Sequence, residues 1–206
     1  MEVYSNENDQ VDALRRFFSN NGKALAVGVV IGVGALLGWR YWNSHQADGA
    51  RDVSQAYQQV MSAVDSSKPA SLEAAATFAA DNSNTYGALA SLDLTKQYVD
   101  SKQLDKAAEQ LQAGLKDTQD ANLQAVLSLR LARVQIQQKK ADDALKTLDS
   151  VKGEGWTAIL ADIRGDALLS KGDTQGARDA WSKGIDSDAS SALKEMMQMK
   201  MNNLSS

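Results

Sequence analysis

Apolar residues are distributed along this chain in two different ways. Near the amino end they run together: from Ala24 to Trp39 sixteen consecutive residues carry no charge, and Arg40, Tyr41 and Trp42 extend the stretch to nineteen. Beyond residue 50 they recur instead at intervals of three and four among alanine, glutamine, lysine and aspartate, which is the period of amphipathic helices and not of strands. That spacing predicts helices at about 50–65, 70–81, 85–101, 104–117, 121–138, 141–151, 156–171, 174–186 and 189–203. Turn chemistry separates them: SSKP (66–69), DNSN (81–84), KGEG (152–155), KGDT (171–174) and DSD (186–188). The expected fold is all-α.

Three of the predicted helices align. They are LDKAAEQLQAG (104–114), ADDALKTLDSV (141–151) and TQGARDAWSKG (174–184). Each has alanine at its fourth position, Ala107, Ala144 and Ala177, spaced 37 and 33 residues apart. Four residues on stand Leu111, Leu148 and Trp181, and three beyond those Gly114, Val151 and Gly184. A period near 34 with small and bulky residues in these places is that of a tetratricopeptide repeat, a helix–turn–helix unit. In the preceding helix of the third unit Gly165, Leu168 and Gly172 stand where the repeat wants a small residue, a bulky one and a turn glycine; the second unit has Ala132 but Gln135 and Lys139, and the first has Thr95 and Tyr98. Small residues let paired helices cross closely, and each unit buries its apolar face only against its neighbours, so the ends need caps. The helix from Ser191 onward is the expected carboxyl-terminal cap, with Leu193, Met196, Met197 and Leu204 turned inward and Met199 and Met201 left over.

A stacked array of such hairpins is concave, and the first helix of each unit lines the concavity. Here that surface would draw on Leu89, Leu92, Lys96, Val99, Val126, Leu129, Arg133, Ile136, Ile159, Asp162, Asp166 and Leu169. It mixes aliphatic groups with charges of both signs, as suits a peptide or partner protein. The sharper candidate groove is Leu92, Lys96, Val99, Leu129, Arg133, Ile136, Asp162, Asp166 and Leu169, some of which a core would also claim.

The nineteen-residue stretch spans roughly 28 Å as a helix, close to the hydrocarbon thickness of a bilayer. Arg40 falls at its end among Trp39, Tyr41 and Trp42, where a guanidinium reaches headgroups and aromatic rings favour the interface. Three readings compete. A buried core helix needs protein on every side. A cleaved signal peptide needs small residues at the cleavage site; cleavage after Ala47 leaves His45, and after Ala50 leaves Asp48, at the critical upstream position, and only cleavage after Gly49 is tolerable. An uncleaved transmembrane helix over 24–42 fits best. Arg15, Arg16 and Lys23 on its amino side outnumber Arg40 and Arg51 on the other, which puts the arm 1–23 in the cytoplasm and 43–206 outside. Gly28, Gly32, Gly34 and Gly38 form small-xxx-small rows of the kind that let another membrane helix approach. Residues 9–23 read as a short amphipathic helix capped by Asp9, with Val11, Leu14, Phe17 and Phe18 on one face against the membrane surface.

Composition narrows the chemistry. The net charge of −4 is not that of a nucleic-acid-binding domain. Residues 1–42 hold four basic and four acidic side chains, so the remainder, with 18 basic and 22 acidic, is the mildly acidic part. There is no cysteine, which excludes disulfides and thiolate metal sites, and His45 is the one histidine. No catalytic constellation and no phosphate-binding glycine loop is present, since GVGALLG (32–38) lies inside the apolar stretch. The expectation is a protein without cofactor or metal that is not an enzyme.

A short basic amino-terminal region, one anchor ending in GWRYW, and a helical-repeat domain containing RGDALLSKGDTQGARDAW (164–181) together resemble the YfgM family, ancillary subunits of the bacterial Sec translocon, over essentially the whole chain. The resemblance implies a single-pass inner-membrane protein with a periplasmic tetratricopeptide-like domain. Its implied partners are the SecYEG translocon, the periplasmic chaperone PpiD and emerging secretory proteins. The alternative from a different class is a membrane-anchored scaffold holding an envelope-stress regulator, with residues 1–23 as its candidate contact.

Overall fold

A computed structural model describes the backbone of residues 7–65 and 67–204; within it, the side chains of 7–10, 13 and 46–48 lie outside the described set, and with them the cap expected at Asp9 and the residues around the candidate cleavage site. The chain divides into two compact units, Met1–Val53 and Ser54–Ser206.

The first helix, α1 (Glu7–Ser62), is unbroken through the apolar stretch. The separate helices expected at 9–23, at 24–42 and from residue 50 are therefore one. Gly49 does not interrupt it, because a single glycine costs a helix only about 1 kcal/mol. The apolar side chains are exposed, Val30 by 71% and Ile31 by 66%, which is not the arrangement of a core helix. By length and composition this helix can cross a membrane.

The second unit is a stack of antiparallel helices: α2 (Pro69–Asp81), α3 (Thr85–Asp100), α4 (Leu104–Asp117), α5 (Ala121–Gln137), α6 (Ala141–Asp149), α7 (Thr157–Ser170), α8 (Thr174–Ile185) and α9 (Ser191–Asn203), with a 3-10 turn at Glu154–Trp156 and no strand among the described residues. Five of these eight starts, those of α2, α3, α5, α8 and α9, follow from capping chemistry. Pro69 occupies the first position of α2, where its missing N–H costs nothing. Asn84, Asp120, Asp173 and Ser190 accept hydrogen bonds from the first free amides of α3, α5, α8 and α9.

The repeat is written in the backbone as well as in the sequence. α3/α4, α5/α6 and α7/α8 are three hairpins, and each turns on a residue at positive φ: Lys102 at 59°, Lys139 at 63° and Gly172 at 85°. In each, the following amide reaches back across the turn, Gln103 N–H to the Tyr98 carbonyl, Lys140 to Gln135 and Asp173 to Leu168. The turn residue itself bonds the carbonyl three before it, Val99, Ile136 or Leu169. These are the two bonds of a Schellman helix end, repeated 37 and then 33 residues on.

Packing explains the small residues. Ala107, Ala144 and Ala177 are fully buried, as are Leu111, Leu148 and Trp181 four residues later. In the third unit small residues are needed between helices: a Cβ added to Gly165 would stand 2.2 Å from Trp181 Nε1, and one added to Gly184 would stand 2.5 Å from Met197 Sδ. One core joins the end of α1, through Tyr57, Val60 and Met61, to α2 through α5. A second lies between α5, α6 and α7 around Leu129, Ile163 and Ala167. The third closes α8 under α9, with Met197 fully buried and Leu193, Met201 and Leu204 packed beside it. Met201 thus belongs to the inward stripe, while Met199 is exposed. The second hairpin departs from the other two. α6 stops at Asp149, two residues short of expectation, and Gly153 at φ 109° redirects the chain into α7.

Candidate protein-binding groove

Counting back from the three hairpin turns places the groove residues in rows. Lys96, Arg133 and Asp166 each stand six residues before the turn, Val99, Ile136 and Leu169 three before, and Leu92, Leu129 and Asp162 ten before. The first row is at the surface or partly so, and the second is half-buried to exposed. The third row is interior: Leu92, Leu129 and Asp162 are 7%, 3% and 1% exposed. Leu92 and Leu129 are core residues of the first and second clusters.

Between α3 and α5 the surface opens into a cleft of about 220 Å³ lined by Thr95, Lys96, Val99, Asp100, Arg130, Arg133, Val134 and Gln137. It brings together three of the expected residues, Lys96, Val99 and Arg133, and adds Arg130 and Val134, which periodicity alone did not single out.

One repeat further on the same face is closed. Lys200 of α9 donates to Asp162 Oδ1 at 2.6 Å and to both Asp166 oxygens at 2.7 and 2.8 Å. Arg133 Nη2 approaches Asp162 Oδ2 at 3.8 Å from the other side. The Lys200 ammonium also sits 5.8 Å from the centre of the Trp181 ring, and that indole donates its N–H to the Asp162 carbonyl at 3.0 Å. Asp162 therefore stands where the earlier units carry leucine, and a cation from the cap helix makes its burial tolerable. Burial raises the Asp166 carboxyl above the ordinary aspartate range; the bonds from Lys200 pull it back, and the Asp162 charge pushes it up again. The sequence held a signal for Lys200, a carboxylate in an otherwise aliphatic row, but its partner lies 38 residues away on another helix.

The glycine rows of α1 behave differently from Gly165 and Gly184. A Cβ added at Gly28, Gly32, Gly34 or Gly38 meets nothing within 4 Å, so nothing among the described residues requires those positions to be small. Among the described residues no group of histidine, cysteine, aspartate or glutamate is arranged to hold a metal ion.

Repeated hairpins closed by a capping helix, with a cleft on the first helices, define a protein of the tetratricopeptide-repeat-like class, and the family model of that description matches residues 15–206. Over 205 residues, and the whole of both chains, the sequence is 68% identical to the ancillary SecYEG translocon subunit of Escherichia coli K12. It is 34% identical to the protein of that name in Haemophilus influenzae over 98% of this chain and 100% of the relative, and 23% identical to the one in Neisseria gonorrhoeae over 99% and 100%. The chain belongs to the family of ancillary SecYEG translocon subunits. No solved structure matches it.

Proposed function

We propose that the chain is a non-enzymatic accessory subunit of the SecYEG translocon that works with the periplasmic chaperone PpiD as an adaptor for emerging secretory proteins. Residues 24–42 anchor it in the inner membrane, with 1–23 in the cytoplasm and 43–206, ending in the α9 cap, in the periplasm. The observation that carries this reading is the pairing, in one chain, of an exposed apolar helix with a helical-repeat unit whose surface opens at Lys96, Val99 and Arg133. The full-length likeness to translocon subunits supports it. The unexplained glycines Gly28, Gly32, Gly34 and Gly38 suit contact with a membrane helix of another protein.

In-cell site-specific crosslinking tests the reading, with probes along 24–42 and in the groove and the partners identified by mass. Translocon subunits from the anchor, with PpiD or nascent chains from the groove, are the expected products. Crosslinks confined to a cytoplasmic regulator through residues 1–23 would replace this reading with the stress-response scaffold.

A further inference from the structure

The adaptor reading leaves open what kind of segment the groove holds. We propose that the cleft between α3 and α5 selects an extended polypeptide segment in which an aliphatic side chain is flanked by carboxylates. The proposal rests on the groove being a binding surface, and it names the chemistry bound there.

Three observations carry it. The first is the sign of the charge. The chain is acidic, at −4, yet Lys96, Arg130 and Arg133 converge on this cleft against a single acid, Asp100. The second is that these cations are available. Among the described residues neither Lys96 nor Arg130 has an ion-pair partner, and the approach of Arg133 to Asp162, at 3.8 Å, is long and leaves most of its donors unused. The acids further along the same face are not available in return: Asp162 is buried and both it and Asp166 are held by Lys200, so a basic ligand finds no free carboxylate there. The third is size and floor. Val99 and Val134 supply an aliphatic base, and about 220 Å³ is below the ~300 Å³ at which small-molecule sites begin. A side chain enters and a folded surface does not. The rim cations, being solvated, contribute mainly to capture rate and choice of partner, and their effect fades with salt. A weak, fast, sign-selective grip suits a protein that passes its ligand on.

The full-length protein in detergent micelles is titrated with three short dye-labelled peptides: one with leucine flanked by glutamates, one with lysines replacing the glutamates, and one with serine replacing the leucine. The first should bind about tenfold more tightly than either other, and weaken as salt rises from about 50 to about 200 mM. Lys96→Glu/Arg130→Glu should remove that advantage and turn the preference toward the lysine peptide. Because both side chains are exposed and unpaired, the melting of the variant should match the parent; should it not, Lys96→Gln/Arg130→Gln must show the loss without the reversal. Equal binding of the three peptides, or indifference to the substitutions, overturns the proposal. The same charge reversal in cells separates it from the adaptor reading. Groove crosslinks to secretory chains that survive the reversal sink the charge selection and leave the adaptor standing. Sign-selective peptide binding without groove crosslinks in the parent sinks the adaptor and leaves the selection.

Discussion

Lys200 and Asp162, on the last helix and on the one two before it, meet at 2.6 Å with the carboxylate 1% exposed. A buried charge that loses its partner costs several kcal/mol, whereas replacing both partners with apolar groups of similar size is often neutral or better. Lys200→Met should therefore lower stability by about 3 kcal/mol, since Arg133 compensates only from a distance. Asp162→Leu/Asp166→Asn/Lys200→Met, which removes both carboxylates that Lys200 holds and puts the leucine of the earlier units at 162, should return to within about 1 kcal/mol of the parent or exceed it. Urea unfolding of the full chain followed by circular dichroism decides it, and a neutral Lys200→Met would show that the pair holds nothing.

Acidity acts on this face with a sign opposite to the usual one. The folded chain binds the Asp166 proton more tightly than the unfolded chain does, so its contribution to stability is fully present below the ordinary aspartate value of 3.8 and is lost as pH rises through the raised one. Asp166→Asn should be more stable than the parent near neutrality, with the difference vanishing below pH 3.8. Asp65 runs the other way. It accepts bonds from the Ser67 hydroxyl and amide, with Lys68 alongside, and is held down at about 2. Its contribution is present above 3.8 and disappears as pH falls through about 2. Carboxyl-carbon NMR titration should find Asp166 above and Asp65 below the ordinary value, and reversal of either would break the assignment.

The hairpin turns offer a test of the backbone alone. Lys102 and Lys139 hold a conformation that disfavours a Cβ, while the equivalent Gly172 does not carry one. Lys139→Gly should gain up to about 1 kcal/mol, the relief of strain partly offset by the freer unfolded chain. Gly172→Ala should lose about 1 kcal/mol through φ alone, because the new Cβ would meet nothing within 4 Å. Thermal melts that moved in the opposite directions would refute the shared turn.

Volume is traded within each unit. Position 165 and its equivalents hold threonine, alanine and glycine, and position 181 and its equivalents hold leucine, leucine and tryptophan. Gly165→Ala should cost about 3 kcal/mol by driving a methyl into the Trp181 ring. Gly165→Ala/Trp181→Leu rebuilds the pair of the second unit and should cost clearly less than the sum of the two single changes. Strict additivity in denaturant titrations would mean that the two positions do not share space.

The helices of the second unit were legible because local chemistry marks both ends: Asn84, Asp120 and Asp173 start them, and the three turns stop them. The period was legible because Ala107, Ala144 and Ala177 do the same packing job three times. The continuity of α1 was not, since the aromatic group at 39–42 and Gly49 look like a boundary yet neither breaks a helix. The early end of α6 was hidden for the converse reason, Val151 being compatible with either state. Of the cleft lining, periodicity singled out Lys96 and Arg133 in one row and Val99 in the next. It could not separate rim from interior, so Leu92, Leu129 and Asp162 entered the same set, and it gave no pairing between α7 and a lysine on α9.

Asp162 also constrains what kind of helix can cover α7. In the first two units the corresponding leucine accepts the apolar helix that follows, so hairpin stacks on hairpin. In the third the row ends in a carboxylate that tolerates only a helix bringing its own cation. An aliphatic hairpin packed there in place of α9 would leave that charge only the distant Arg133, at a cost of several kcal/mol. A further hairpin packed on α7 and α8 would therefore need a cation in the place of Lys200.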